Sequence, residues 1–197
     1  DSIEMIAPYI NDRRWYVVRN ITYILARIGK EQALPYIQKA FNHPEIRVKR
    51  EAIQALGIIG GSRSFGLLVK GLADGDERIR SMSALNLAKV GKKSSLPYLL
   101  EVVQSNEFPK KEKVEIKAFF DAIGMVGSNE ANKLLEKLLE KRSWFGDEKW
   151  AEIRHGAASA LALIGTPEAK SILRSGIDSK DEKIRQACLQ ATERLSF

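Results

Sequence analysis

Few residues in this chain could carry out a reaction. It has two histidines and one cysteine. His43 is followed by Pro44 and reads as a turn residue, while His155 stands alone in a helical pattern. Neither has the carboxylate and histidine spacing of a metal site. Gly60-Gly61 and Gly71…Gly75 lack the lysine and hydroxyl that a phosphate-binding loop requires. No nucleophile elbow occurs, and Ser62, Ser64, Ser94 and Ser95 read as helix starts. A single cysteine cannot form an internal disulfide, and Cys188 falls on an apolar stripe. It reads as a buried structural thiol, with a reactive or partner-linking role as the alternative. No catalytic residue, cofactor or metal is expected.

What remains is charge and aromatic surface. Thirty-two Lys and Arg stand against 25 Asp and Glu, a net charge of +7, with a pI near 9.5. This balance suits nucleic acid, an acidic protein or a membrane surface, or serves only to keep the chain soluble. The bases fall in groups: Arg13, Arg14 and Arg19; Arg47, Lys49 and Arg50; Arg78 and Arg80; Lys110, Lys111, Lys113 and Lys117; Arg154; Lys183 and Arg185. Each cluster has acids nearby: Asp12, Glu45, Asp76 and Glu77, Asp147 and Glu148, Asp181 and Glu182. Two readings stay open. The bases form an exposed ribbon able to follow a phosphate backbone, or they bond to turn acids and hold neighbouring units in register. Trp15 and Tyr16 read either as core or as an aromatic contact beside Arg13 and Arg14.

The elements that position these residues repeat. EAIQALGIIG at 51–60 is echoed by ITYILARIG, MSALNLAKVG, FFDAIGMVG and GAASALALIG, with closing glycines at 29, 60, 91, 127 and 165. A final copy ends near Ser196. Counting back from each glycine, offsets −12, −8, −5, −4 and −1 hold Val48, Ala52, Ala55, Leu56 and Ile59 in the second copy. They hold Val17, Ile21, Ile24, Leu25 and Ile28 in the first, and Ile153, Ala157, Ala160, Leu161 and Ile164 in the fifth. Those spacings draw one stripe on a helix, and the glycine is placed to end it in a left-handed conformation. Copies three and six are degenerate, with Ser83, Asn86 and Thr192 in apolar slots. A second helix precedes each of the later five stripes, at 31–41, 63–72, 94–103, 129–140 and 167–176, with Pro35 and Pro97 early in theirs. Two stretches break the period. SNEFPKKEK at 105–113 and KRSWFGDEKW at 141–150 read as insertions on which function concentrates. The second carries Trp144 and Phe145, either folded over an apolar groove or protruding as a contact epitope.

Helical pairs of this size bury their apolar faces only by stacking, and no alternating strand pattern is convincing. The fold class is therefore all-α, a stacked array of about six hairpins in one elongated domain, 1–197, with units at 1–29, 30–60, 61–91, 92–127, 128–165 and 166–197. No apolar run approaches the ~20 residues of a membrane span. The chain begins at Asp1 on what looks like a first helix. It is read as a fragment whose Met5, Ile6 and Ile10 face an absent repeat or an open end, and the expected location is cytoplasmic.

The segments VKREAIQALGIIG at 48–60 and EIRHGAASALALIG at 152–165 resemble the HEAT-repeat family, in the short form of about 31 residues seen in phycobilisome-lyase-like bacterial and archaeal proteins. The resemblance covers nearly the whole chain. It implies a right-handed α-α superhelix, a solenoid whose inner helices line a concave face and whose turn acids pair with inner-helix bases of adjacent repeats. HEAT-fold metal hydroxylases use repeated His-Glu pairs, of which this chain has none.

The expected function is a non-enzymatic scaffold that binds a protein partner through its concave face and insertion loops. The contact candidates are Arg19, Tyr23, Arg47, Lys49, Arg50, Arg80, Lys117, Asp121, Trp144, Phe145, Arg154 and His155. Offsets −10, −6 and −3 are expected to be exposed, which adds Ala26, Gln54, Gly57, Gly124, Ser159 and Ala162. One alternative is a sequence-independent nucleic-acid module. The other is a HEAT-like enzyme of bilin-lyase or DNA-glycosylase type, for which Trp15, Tyr23, Asp121 and Trp144 are the imaginable residues and no motif maps.

Overall fold

The structure, a computed structural model, describes residues 2–141 and 147–193. All regular structure among them is helical, arranged within each unit as successive stacked helical hairpins of an α solenoid. The chain divides into two compact units, Asp1–Gly91 and Lys92–Phe197.

In the first unit the helices are α1 (Ser2–Ile6), α2 (Trp15–Ile28), α3 (Leu34–Phe41), α4 (Ile46–Ile59), α5 (Gly61–Gly71) and α6 (Glu77–Gly91). The inner helices α2, α4 and α6 pack in succession, with α3 behind α4 and α5 behind α6. In the second unit α7 (Leu96–Gln104), α9 (Asn132–Glu140) and α11 (Pro167–Ile177) back the inner helices α8 (Lys113–Val126), α10 (Asp147–Ile164) and α12 (Glu182–Glu193). Several outer helices start in short 3-10 turns, such as Lys30–Ala33 and Lys92–Ser95. Pro35 and Pro97 occupy first-turn positions of α3 and α7, where a missing N–H costs nothing.

The expected stripe is the buried face in the second and fifth copies: Val48, Ala52, Ala55 and Leu56 are fully buried, as are Ala157, Ala160 and Leu161. In the first copy the expectation is off by one residue. α2 buries Val18, Thr22, Leu25 and Ala26, whereas Ile24 and Ile28 are 40% and 45% exposed. The cause lies at the helix end. Gly29 has φ −96 and the left-handed residue is Lys30, φ 42, so the repeat from Val18 to Val48 is 30 residues rather than 31. Gly91 likewise stays inside α6, and Lys92 takes φ 46. Gly60, Gly127 and Gly165 have the left-handed φ that the pattern requires.

Polar residues in apolar slots are matched by glycines on the neighbouring helix. A Cβ on Gly71 would lie 2.1 Å from Ser83 Oγ, and one on Gly57 would lie 2.0 Å from Asn86 Oδ1. Gly57, Gly124 and Ala26 are thereby buried rather than exposed, and Ala162 is 9% exposed, so the expectation for offset −3 fails. The −3 position faces the next inner helix, not solvent.

The insertion at 105–113 is not a displayed loop. It folds into a short 3-10 turn, Phe108–Lys110, that drives the fully buried Phe108 edge-on against Phe119 (5.7 Å, 78°) and Phe120 (5.8 Å, 77°).

Candidate functional site

Small residues on α10 create the site. A Cβ on Gly156 would lie 2.1 Å from Phe120, and one on Gly124 would lie 2.8 Å from Leu163, so α8 and α10 approach closely through glycine contacts. Above that contact, α8, α10 and α12 border a groove of 590 Å³ within the second unit. Its floor is small and apolar, with Gly156, Ala162, Leu163, Ala187 and Ala191. Its rim is charged and polar. Lys113 of α8 bridges to Glu152 of α10 at 2.7 Å, Lys117 bridges to Asp121 at 2.5 Å, and His155, Ser159 and Gln190 complete the lining. Lys117 and Lys113 remain largely exposed at 67% and 70%, so their ion pairs can exchange for pairs with an incoming chain.

Three of the sequence candidates, Lys117, Asp121 and His155, converge on this groove. Arg154 does not. It is 3% exposed, and its Nη2 donates to the Lys141 carbonyl at 2.9 Å. Trp144 and Phe145 lie outside the described residues. In the second insertion, Lys141 Nζ sits 4.6 Å from the Trp150 ring.

The first-unit candidates sort by partner. Arg47 bonds to Glu45 at 2.8 Å, and its guanidinium lies 3.7 Å from the Trp15 ring, which Arg19 also approaches at 5.9 Å. Trp15 is therefore a half-buried platform for bases from two helices, Arg19 and Arg47, rather than the contact beside Arg13 and Arg14 that was one of its two readings. Lys49 crosses to Asp74 of the following turn at 2.8 Å, and Arg80 donates to the carbonyls of Asp74 and Gly75. Tyr23 is 46% exposed beneath Arg27, whose guanidinium carbon is 3.3 Å from the ring centre. Arg50 is exposed.

A motif not recognised in the sequence governs this charge. At Asp12/Arg14, Glu45/Arg47 and Asp76/Arg78 the acid accepts the backbone N–H two residues on and also pairs with that residue's side chain. Asp181 accepts the Lys183 N–H at 2.9 Å in the same way. Each acid satisfies orphan donors at a helix start. The Arg14 guanidinium holds Asp12 down to about 2 from its ordinary 3.8. Hydrogen bonds from Arg47 and Arg78 lower Glu45 and Asp76. The acid-x-base spacing was the available signal. Most of these pairs lie within one turn, and Lys49–Asp74 is one that spans adjacent repeats.

Among the described residues no cluster of three His, Cys, Asp or Glu is placed to hold a metal ion, and no helix is long and apolar enough to cross a membrane. Cys188 is fully buried against Gly176, and desolvation pushes its thiol up to about 11, which keeps it protonated and unreactive.

The family model for HEAT repeats matches residues 3–85 and 117–193. Over 147 residues the chain is 29% identical to a HEAT repeat-containing taxis protein of Halobacterium salinarum, covering 75% of this chain and 28% of that protein. It is 26% identical to deoxyhypusine hydroxylase of Candida albicans, covering 90% of this chain and 53% of the enzyme. It thus spans about a quarter and about half the length of these two relatives. The bilin biosynthesis protein PecF of Nostoc is also 26% identical, with 77% of this chain and 89% of PecF covered. In solved structures, the complex of CpcE and CpcF of phycocyanin lyase from Nostoc aligns over 95% of this chain and 74% of that chain, with a TM-score of 0.62 at 18% identity, a likeness of fold.

Proposed function

The chain belongs to the HEAT-repeat family, and from that premise we propose that it is a non-enzymatic scaffold that holds a protein partner in the inner-face groove of its second unit. The observation that carries this reading is the groove itself, an apolar floor of mostly small residues with Leu163 and Val114 exposed among them, under a rim of exchangeable ion pairs. Such a floor offers apolar contact to another chain, and the rim supplies both signs of charge to fix its register. A related fold in a complex of two lyase proteins supports a protein as the partner. Arg14, Arg47 and Arg78 each carry an acid two residues away, so these helix starts present both signs of charge, which favours a protein over a phosphate backbone.

A photo-cross-linking residue in place of Ser159, in the organism that makes the protein, tests the reading against the same residue at Lys133 on α9. Ser159 is expected to yield one defined protein adduct, and Lys133 none. Reversing the rim with Lys117→Glu and Asp121→Lys lowers affinity for that protein by about tenfold while helicity by circular dichroism is unchanged. Adducts at Lys133 with none at Ser159 would remove the groove from the proposal.

A further inference from the structure

On α2, Trp15, Arg19, Tyr23 and Arg27 recur at every fourth residue, so aromatic rings and arginines alternate along one side of the helix. That side turns toward α4. Arg47 of α4 lies 3.7 Å from the Trp15 ring, and Arg27 and Arg19 act by charge on Glu51 of α4 without an ion pair. Burial pushes the Glu51 carboxyl up, and the two arginines only partly offset it. Arg27 stacks on Tyr23, 3.3 Å from the ring centre. A guanidinium stacked on a ring is held in plane, and its N–H edge stays available for hydrogen bonds. Those edges are largely unspent. Arg27 uses Nη1 on the Tyr23 carbonyl, Arg47 uses Nε on Glu45, and Arg19 uses Nε and Nη2 on Asn20. Each keeps further N–H donors. Arg50, exposed on α4, has no hydrogen-bond or ion-pair partner among the described residues.

Charge and base type identify the partner. The first unit holds 14 Lys and Arg against 9 Asp and Glu, which is +5 of the total +7. Its bases are 9 Arg and 5 Lys, whereas those of the second unit are 5 Arg and 13 Lys. Arginine is the base whose planar fork matches a carboxylate or a phosphate. A nucleic-acid strand is the poorer match here. Arg27 and Arg47 occupy ring faces on which its bases would stack. Glu45 and Glu51 lie among the arginines and oppose an unbroken line of phosphates, while a peptide can space its carboxylates to avoid them. A second copy of this chain would bring two basic units together, which is repulsive. We infer that the seam between α2 and α4 holds an acidic segment of a partner protein, with its carboxylates forked by Arg19, Arg27, Arg47 and Arg50. Arg19 and Arg27 stand about 12 Å apart along the helix, a distance that about four residues of an extended segment cover. This surface lies in the first unit and rests on no part of the groove reading.

Fluorescence anisotropy on the full chain tests this with two labelled probes at ~100 mM salt, an oligoglutamate of about twelve residues and an oligothymidylate of about the same charge. The oligoglutamate is expected to bind, and the oligothymidylate to bind at least about tenfold more weakly. Arg27→Gln with Arg50→Gln lowers the affinity for oligoglutamate by at least about tenfold, while Lys133→Gln with Lys137→Gln on α9 changes it less than about twofold. Arg27→Lys with Arg50→Lys keeps the charge and removes the forks, and is expected to bind as weakly as the glutamine pair. All four side chains are exposed, so the variants retain the circular dichroism of the parent. Three results would each overturn the assignment: no binding of oligoglutamate, equal affinity for the two probes, or a lysine pair that binds like the parent, which reduces the seam to diffuse positive charge. Concentration-dependent dimerisation of the parent, abolished by Arg27→Gln with Arg50→Gln, would assign the seam to a second copy and equally overturn it.

Discussion

The two units solve the same packing problem with different chemistry. Asp1–Gly91 builds its core mainly from aliphatic side chains, Leu25, Ile53, Leu56, Leu68, Ile79 and Leu87, and keeps its ion pairs at helix starts and turns, most of them at the surface and one, Lys49–Asp74, part-buried. Lys92–Phe197 adds an aromatic trio, Phe108, Phe119 and Phe120, and takes a charge inside. Glu115 is 1% exposed on α8, where the repeat places Val48 in the second copy, and Lys111 reaches it at 2.7 Å. Both departures come from the stretch 105–113, which lengthens the repeat. The extra residues supply the phenylalanine and the lysine together. An insertion between repeats can therefore be a core component.

The largest effect that tests this contrast is at Phe108. Phe108→Ala removes a ring in edge contact with two others, and is expected to cost about 3–5 kcal/mol in urea unfolding. If the insertion were a surface loop, the same change would cost under ~0.5 kcal/mol. The next is at Lys111. Lys111→Met takes one cation away from the buried Glu115. The expected loss is about 2–3 kcal/mol, short of the full buried-pair value because Lys111 keeps 19% exposure. Lys111→Met combined with Glu115→Leu, which removes both charges, is expected to recover most of it, and failure to recover would show that the pair itself stabilises the core.

The architecture was legible because burial repeats. A chain that must stack hairpins writes the same apolar spacing at every turn, and the outer helices begin and end within three residues of the ranges read from it. The first copy misled for a specific reason. α2 offers two apolar stripes, and the one ending at Gly29 is the exposed one, because a lysine and not a glycine takes the left-handed position there. Sequence pattern does not distinguish an apolar face that meets its own core from one left at the surface. Phe108 was hidden for the complementary reason: it sits among Asn106, Glu107, Lys110 and Lys111, so its surroundings in sequence are those of a loop. At the groove, Lys117, Asp121 and His155 followed from their offsets, whereas Arg154 sits one position from His155 and turns inward to a carbonyl. A helix rotates 100° per residue, so a neighbour in sequence carries the opposite role.

The smallest effect concerns the surface pairs of the first unit. Asp12 is held at about 2 by Arg14 in the folded chain, against an ordinary value of 3.8. A folded value below the unfolded one means that the contribution is fully present above about pH 4 and is lost as the pH falls toward 2. Arg14→Gln is expected to return the Asp12 carboxyl midpoint toward 3.8, read by carboxyl-carbon NMR, and to leave the urea midpoint at neutral pH nearly unchanged, as for other exposed pairs. The contrast with Lys111 is then direct. Both substitutions remove one cation from one carboxylate, and only where the carboxylate is cut off from water should the loss appear at pH 7. Equal losses at the two positions would mean that the acid-x-arginine caps hold the helix starts as firmly as the buried pair holds the core, and that the two units differ in composition without differing in how they are stabilised.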